Sequence, residues 1–403
     1  MHPLHLSHLC VATSLGNGLD PLLAALQSGR GGLRPCSFES AVLPTYTGAI
    51  DDLDNMRLDG EFATFDCRNN ALAELALRQD GFEAAVEQAR QLYGGDRVGV
   101  FLGTSTSGLL EAEHAYQSRD PVTGALPVGF RYKTTHNTYS LAAFLRRRLR
   151  LSGPSLVVSC ACASTAKAFG NAARMMAAGL CDAAIVGGAD TLCLTTLCGF
   201  AALNLTAPGP CRPCDASRDG ISIGEAAGFV LLEKATPTPG DVMLLGIGES
   251  NDAYHMSSPH PEGAGARLAM ELALTSAGLT PGDIDYVNLH ATATLVGDAA
   301  EDRAVFDVFG AATPCSATKG LTGHVLGAAG ILEAIISALA IRHQFVPGTA
   351  NTTRIDPSFR CRHLLDSAPS MVRRVMSNSF GFGGSNCSLV LGTGANAWLG
   401  AAG

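Results

Sequence analysis

The stretch LVVSCACASTAKAFGNAARMMAAGLCDAAIVGGAD, residues 156–190, switches between two periodicities. An apolar run ends near Ser159, a small-residue stretch with helical spacing runs from about Ala163 to a stop at Gly179, and a second apolar run passes through Ile185 and Val186. This pattern predicts strand, helix and strand, a βαβ unit. Further along, ATPTPGD at residues 235–241 combines two prolines with a glycine and breaks any regular element. Beyond it the grammar repeats, with strand-like VMLLGIGES, helix-like GARLAMELALTSAG, strand-like YVNLH and helix-like EDRAVFDVFG. In PCSATKGLTGHVLGAAGILEAIISALAIR a small-residue turn again precedes an Ala/Gly-rich helix, as in VVSCACASTAKAFGNAARMMAAGL. The chain reads as a duplication, with halves at residues 1–237 and 238–403.

Composition narrows the class. With 47% hydrophobic and 16% charged residues among 403, the chain can bury one large core or two fused ones. The 46 glycines, the 6% aromatics and a single Trp fit small-residue helices packed tightly on strands, an α/β enzyme. A net charge of −8 argues against a nucleic-acid binder, which needs a basic face to neutralise phosphates. Thirteen cysteines without an evenly spaced framework, behind an N-terminus (MHPLHLSHLC) with no secretory signal, point to a reducing cytoplasm. The most apolar internal segments are interrupted by Glu225 or Glu333, so no membrane span is expected.

Candidate chemistry then stands out at the element junctions. Cys162 in SCACAST lies where strand meets helix, near the positive end of a helix dipole that stabilises thiolate and lowers its pKa. By itself a free cysteine is more often an ordinary small buried hydrophobe than a nucleophile. Cys160, before the turn, is read as structural. His290 ends YVNLH and His324 follows KGLTG, positions that suit a cleft at the strands' C-terminal edges. A thiol, two imidazoles and a lysine–glutamate pair (Lys319 and Glu301) can divide the labour of nucleophilic catalysis, the pair neutralising itself while fixing the histidines' hydrogen bonds. NSFGFGGSN at 378–386 alternates aromatics with glycines, so it reads either as a flexible turn or as backbone that offers N–H groups to an oxyanion.

Taken together these segments resemble the β-ketoacyl-acyl-carrier-protein synthases of the elongating type, which have a thiolase-like fold. The resemblance runs in order through LGNGLDPLLAALQSGRGGLRP, GTSTSG, SCACAST, RPCDASRDGISIGEAAGFVLLE, NLHATATLVGDAAE, KGLTGHVLGAAG and NSFGFGGSN, nearly the whole chain. It implies two thiolase-like halves in a five-layered α-β-α-β-α arrangement. It also implies Cys162 as the acyl-bearing nucleophile of a decarboxylative Claisen condensation, with His290 and His324 hydrogen-bonding the malonyl thioester carbonyl as neutral donors. Backbone N–H groups of Cys162 and Phe382 would hold the oxyanion, and Phe382 would gate the nucleophile. Lys319 and Glu301 would form the supporting ion pair, and Thr292 and Thr294 would contact the pantetheine arm. The enzyme would need no cofactor of its own, its substrates arriving on the phosphopantetheine of an acyl carrier protein.

Ala291, Ala293 and Leu295 depart from the family's usual Gly, Ser and Pro, which leaves substrate details open. RDGISIGEAAGF and TTHNTYS are similar to ketosynthases of aryl-polyene pathways, so the partner is either a second copy or a chain-length factor. Arg68, Arg131 and Lys133 match segments that dock the acidic carrier, with the run Arg146, Arg147, Arg148 and Arg150 as a competing patch. Cys211 and Cys214 form CRPC, but no further ligands stand at zinc-site spacing, so no metal is expected, and His255 and His260 read as loop residues. Two other readings remain at this stage. A CoA-dependent thiolase would use a second cysteine near the C-terminus, where Cys387 lies beyond the glycine loop, and a non-catalytic chain-length factor would lack Cys162.

Overall fold

The computed structural model describes residues 1–234, 238 and 240–393, apart from the side chain of Asp52. The proposed division at 237/238 therefore falls where residues 235–237 and 239 lie outside the described ones. The N-terminal strands are β1 (Leu4–Thr13), β2 (Val98–Gly103), β3 (Ser155–Val158), β4 (Ala183–Asp190) and β5 (Ala226–Glu233). The C-terminal strands are β6 (Val242–Asn251), β7 (Tyr286–Asn288), β8 (Pro314–Ser316), β9 (Arg374–Gly381) and β10 (Ser385–Thr393).

From outside inward the first set runs β3-β2-β4-β5-β1 and the second, inside a short edge strand Arg362–His363, β8-β7-β9-β10-β6, so both read third, second, fourth, fifth, first. The senses match too: β2 is parallel to β3 and β4, as β7 is to β8 and β9, and the remaining neighbours are antiparallel in both sets. The two sets meet where β1 and β6 pair briefly at Leu4↔Leu244 and His5↔Met243. The repeated grammar of the sequence is thus a repeated topology. One expectation changes: β3 and β4 are not neighbours, because β2 lies between them, so the helix joining them crosses over β2.

The main helices are α1 (Arg68–Leu77), α2 (Phe82–Tyr93), α3 (Ser140–Arg148), α4 (Ser164–Ala177), α5 (Ala264–Ala277), α6 (Leu295–Phe309) and α7 (Ala329–His343). One core packs α1, α2 and α3 on the outer face of the first strand set, and another packs α5 and α6 on the outer face of the second. The largest core lies between the sheets around α4 and α7, which gives the five layers. α7 is buried continuously from Ala329 to Ile341. It approaches α4 so closely that a Cβ at Gly330 would sit 2.5 Å from the Ala166 nitrogen, which is why both helices are built of Gly and Ala. Among the described residues Leu326–His343 is the one helical stretch long and apolar enough to cross a membrane, and it is this central core helix.

Candidate active site

α4 begins at Ser164, so Cys162 sits just before its first turn, as the small-residue pattern predicts. Ala161 adopts φ +48°, a left-handed conformation that turns the chain from β3 into the helix. The Ser164 hydroxyl locks this turn: it accepts from the Cys160 N–H at 2.9 Å and donates to the Ala161 carbonyl at 2.6 Å. Cys162 is 8% exposed, at the bottom of a cavity of about 310 Å³.

The histidines come from the other half. Beyond β7, Leu289 N still bonds Ser316 O at 2.9 Å, and the Glu301 carboxylate takes the following donors, accepting from His290 N at 2.8 Å and Ala291 N at 2.7 Å. Asn378 Nδ2 adds a contact to the same carboxylate at 3.2 Å. His324 is fixed through its backbone, donating to Ser222 O at 2.7 Å and accepting from Gly224 N at 3.0 Å. Its Nε2 lies 2.9 Å from Cys162 Sγ, and the two imidazoles meet edge to face with centroids 5.2 Å apart.

Electrostatics corrects the expectation for the thiol. Burial pushes Cys162 from 9.0 up to about 12, opposed by the Lys319 charge and by a hydrogen bond from the Phe382 N–H. That rise corresponds to about 4 kcal/mol, whereas an exposed helix terminus supplies ~0.3–1 kcal/mol. Desolvation wins, and Cys162 rests as a thiol. Burial likewise holds His290 and His324 well below the usual imidazole range, reinforced by Lys319, so both are neutral as the resemblance implies.

The supporting ion pair is also corrected. Lys319 bonds Glu333, from the middle of α7, and not Glu301. Both partners are buried, and burial raises Glu333 to about 7 against the pull of Lys319. Glu301 serves instead as the main-chain clamp of His290, and burial raises it to about 7 against the Ala291 and His290 N–H groups.

The remaining expected residues line the same cavity. Phe382 stacks at a tilt on Phe200, ring centroids 5.6 Å apart, beside the Cys162 mouth, and Thr292 and Thr294 share a hydroxyl contact of 3.3 Å on the opposite wall. Cys387 is buried within β10 and does not line the cavity, so the second cysteine of a thiolase is not at this site.

Residues 70–237 match the beta-ketoacyl synthase N-terminal domain, and residues 242–353 match the beta-ketoacyl synthase C-terminal domain. The chain belongs to the beta-ketoacyl synthase family. The 3-oxoacyl-[acyl-carrier-protein] synthase 2 of Coxiella burnetii is 33% identical over 95% of this chain and 96% of its own length. The mitochondrial 3-oxoacyl-[acyl-carrier-protein] synthase of Arabidopsis thaliana is 42% identical over 59% of this chain, a match spanning 56% of that enzyme. Among solved structures, the ketosynthase ApeO in complex with its chain length factor ApeC from Xenorhabdus doucetiae is similar at TM-score 0.87 and 37% identity, covering 97% of this chain and 98% of that one. The ketosynthase chemistry read from the motifs is therefore that of the family.

Other expected sites on this synthase fare differently. Arg68 is a correction: its guanidinium is turned inward onto Glu225 at 2.7 Å and Asp54 at 2.5 Å, with 9% of the side chain exposed, so its charge is already neutralised and does not face a carrier. Arg131 and Lys133 lie on the exposed surface, Arg131 anchored to the Ala63 carbonyl at 2.9 Å. In the competing run Arg147 pairs with Glu61 at 3.7 Å and Arg148 is tied to Glu74 and Glu83, while Arg146 contacts the Tyr139 hydroxyl. Cys211 and Cys214 join no metal-ligand group among the described residues. His255 and His260 lie in the loop after β6, His260 against the Tyr254 ring.

Three participants were not singled out from the sequence. Glu333 is the first, although a lone acid inside an apolar helix demands a buried cation. Asp190 is the second: at the end of β4 it accepts from Thr104, Ser105 and Thr106, and from Gly327 N at 2.6 Å, binding the two halves behind Cys162. Phe200, which backs Phe382, carries no local signal.

Proposed function

We propose that this chain is the catalytic subunit of an acyl-carrier-dependent ketosynthase that elongates a fatty-acid, polyketide or aryl-polyene chain, with Cys162 carrying the chain and with no cofactor of its own. The observation that carries this reading is the thiol itself, 2.9 Å from His324 Nε2. In the first half-reaction Cys162 Sγ attacks the acyl thioester. The carrier's pantetheine sulfur leaves with the thiol proton. The oxyanion lies between the Cys162 and Phe382 N–H groups. In the second, the neutral imidazoles donate to the malonyl thioester carbonyl as the carboxylate departs as carbon dioxide. The enolate forms the new carbon–carbon bond, the Cys162–acyl bond breaks, and one solvent proton restores the thiol.

The partners follow the same reading. Acyl groups come on an acidic carrier protein, received near Arg131 and Lys133, and the chain pairs with a second copy or with a chain-length factor. The motifs TTHNTYS and RDGISIGEAAGF favour the latter, as does likeness to a ketosynthase solved with such a factor. All thirteen cysteines are unbonded, which suits a reducing cytoplasm.

Mass spectrometry of the chain mixed with acyl-loaded carrier tests the core claim. An acyl adduct on Cys162 that disappears in Cys162→Ala is expected, and an unmodified Cys162, or equal labelling of the variant, defeats it. A panel of saturated and polyunsaturated acyl carriers, with and without the chain-length factor, sets the substrate class.

A further inference from the structure

About the edge of the C-terminal sheet lies a second group of thiols and imidazole, unused by the condensation. Cys315 on β8 stands in register with His363 on the short parallel strand Arg362–His363, and Cys361 precedes that strand. Cys315 Sγ, Cys361 Sγ and a His363 ring nitrogen all lie within 4.8 Å of one another, with Cys315 Sγ 3.7 Å from His363 Nδ1.

Distance alone does not mark a metal site, because the catalytic trio of Cys162, His290 and His324 meets the same condition. What separates the two groups is the far side of the imidazole. Nδ1 of His290 and Nδ1 of His324 have no hydrogen-bond partner, whereas His363 Nε2 lies 2.9 Å from Asp302 Oδ1. A carboxylate only accepts, so Nε2 carries the hydrogen, and in the neutral tautomer the Nδ1 lone pair faces the sulfurs. Asp302 is itself held as an acceptor by Arg360 N at 2.9 Å and Cys361 N at 3.1 Å. A carboxylate that orients a histidine from behind is the usual companion of a zinc-bound imidazole. The His363 and Asp302 side chains are 1% and 5% exposed, so the arrangement is built into the fold.

We infer that Cys315, Cys361 and His363 form a binding site for a thiophilic divalent cation of the zinc class, with Asp302 as the positioning residue behind His363. Two thiols release their protons to solvent on binding, and two thiolates with one neutral imidazole leave the dication and its protein ligands without net charge. The fourth tetrahedral position goes to water. The ion would pin the edge strand to β8, the strand that leads into Lys319 and His324, and to α6, where Asp302 follows Glu301. Its role is structural, and it stands independently of the acyl substrate.

The test uses the full chain carrying Cys162→Ala, so that the active-site trio cannot contribute a thiolate. Anaerobic titration with cobalt(II) is expected to give one equivalent bound with a sulfur-to-cobalt charge-transfer band, displaced by zinc. Cys361→Ala, at a half-buried position that tolerates the change, should abolish the band, and Asp302→Asn should weaken zinc about 10- to 100-fold in competition with a chromophoric chelator. Absence of the band, or a band of equal strength in Cys361→Ala, overturns the site. So does a Cys315–Cys361 disulfide in peptide maps of protein prepared without reductant, which would assign the pair to redox chemistry.

Discussion

In the N-terminal half the third strand, β3, turns through residues 159–163 directly into α4 and delivers Cys162. In the C-terminal half the third strand, β8, runs through the longer segment 317–328, which holds Lys319 and His324, before α7 begins. Strand order and sense are the same in both, so the difference is one of side chains and turn length. The first half supplies a thiol beside a helix terminus, and the second supplies the two imidazoles and the buried lysine that act on it. The terminus alone does not make a thiolate here, since burial outweighs it, and the positive charge opposing that burial is Lys319 from the other half. A duplicated fold has thus become a single site through unequal investment of ionisable groups.

If the labour is divided this way, substitutions in the second half should separate the two half-reactions. His290→Ala and His324→Ala should still accept acyl groups on Cys162, while carbon dioxide release from malonyl carrier falls by about 10²–10³-fold, the usual loss for one preorganised donor. Undiminished decarboxylation in either variant would refute the assignment of the histidines. A parallel collapse of both half-reactions would break the comparison between the halves.

The buried charge itself gives the next effect. Lys319→Met strands Glu333 in the middle of α7 without its counterion, which should cost about 3–5 kcal/mol in urea denaturation. The double variant Lys319→Met/Glu333→Leu should recover much of that, because an apolar pair of similar size has no desolvation debt. A single variant as stable as the parent would show that the pair is not buried as described.

Much of this was legible in the sequence, and the failures share a cause. The junction at Cys162 and the positions of His290 and His324 are local features of strand ends and turns, so pattern reading reaches them, whereas the gate at Phe382 follows from the resemblance. Which acid meets Lys319 is not local. Glu301 and Glu333 both lie on helices, and only the passage of α7 between the sheets decides that Glu333 reaches the lysine while Glu301 is taken by two backbone N–H groups. The same holds for Arg68, whose inward turn depends on the distant Glu225 just before β5, and for the thiol's protonation, which is set by desolvation.

A pH effect sharpens the role of Glu301. Burial raises this group from 4.5 to about 7, so below pH 4.5 it is protonated in both folded and unfolded chain and its contribution is complete. Between 4.5 and 7 the unfolded chain has lost its proton and the folded one keeps it, so stability falls as pH rises, by on the order of 3 kcal/mol over that window. Glu333 acts in the same direction. Glu301→Gln should flatten part of this slope while adding a pH-independent penalty, because its amide NH₂ faces a main-chain N–H. An unchanged slope in unfolding measurements across the window would remove Glu301 from the account.

The smallest effect comes from the turns that follow the second strand of each half. After β2, Thr104 and Thr106 give their hydroxyls to Asp190 at 2.8 and 2.9 Å and are fully committed to structure. After β7, the Thr294 side chain makes no cap for α6, although Thr294 occupies the cap position, and its hydroxyl faces the cavity beside Thr292. The turns after the two second strands therefore hold hydroxyls with opposite duties. Thr106→Val should lower stability by about 1–3 kcal/mol through the buried carboxylate it leaves short of a donor. Thr294→Val should leave stability unchanged and raise KM for carrier-bound substrate by about 2- to 12-fold, with kcat held, the worth of one net hydrogen bond of ~0.5–1.5 kcal/mol. If the Thr294 variant lost stability with no change in KM, its hydroxyl would be structural like those of the first half, and the asymmetry between the halves would be confined to their charged groups.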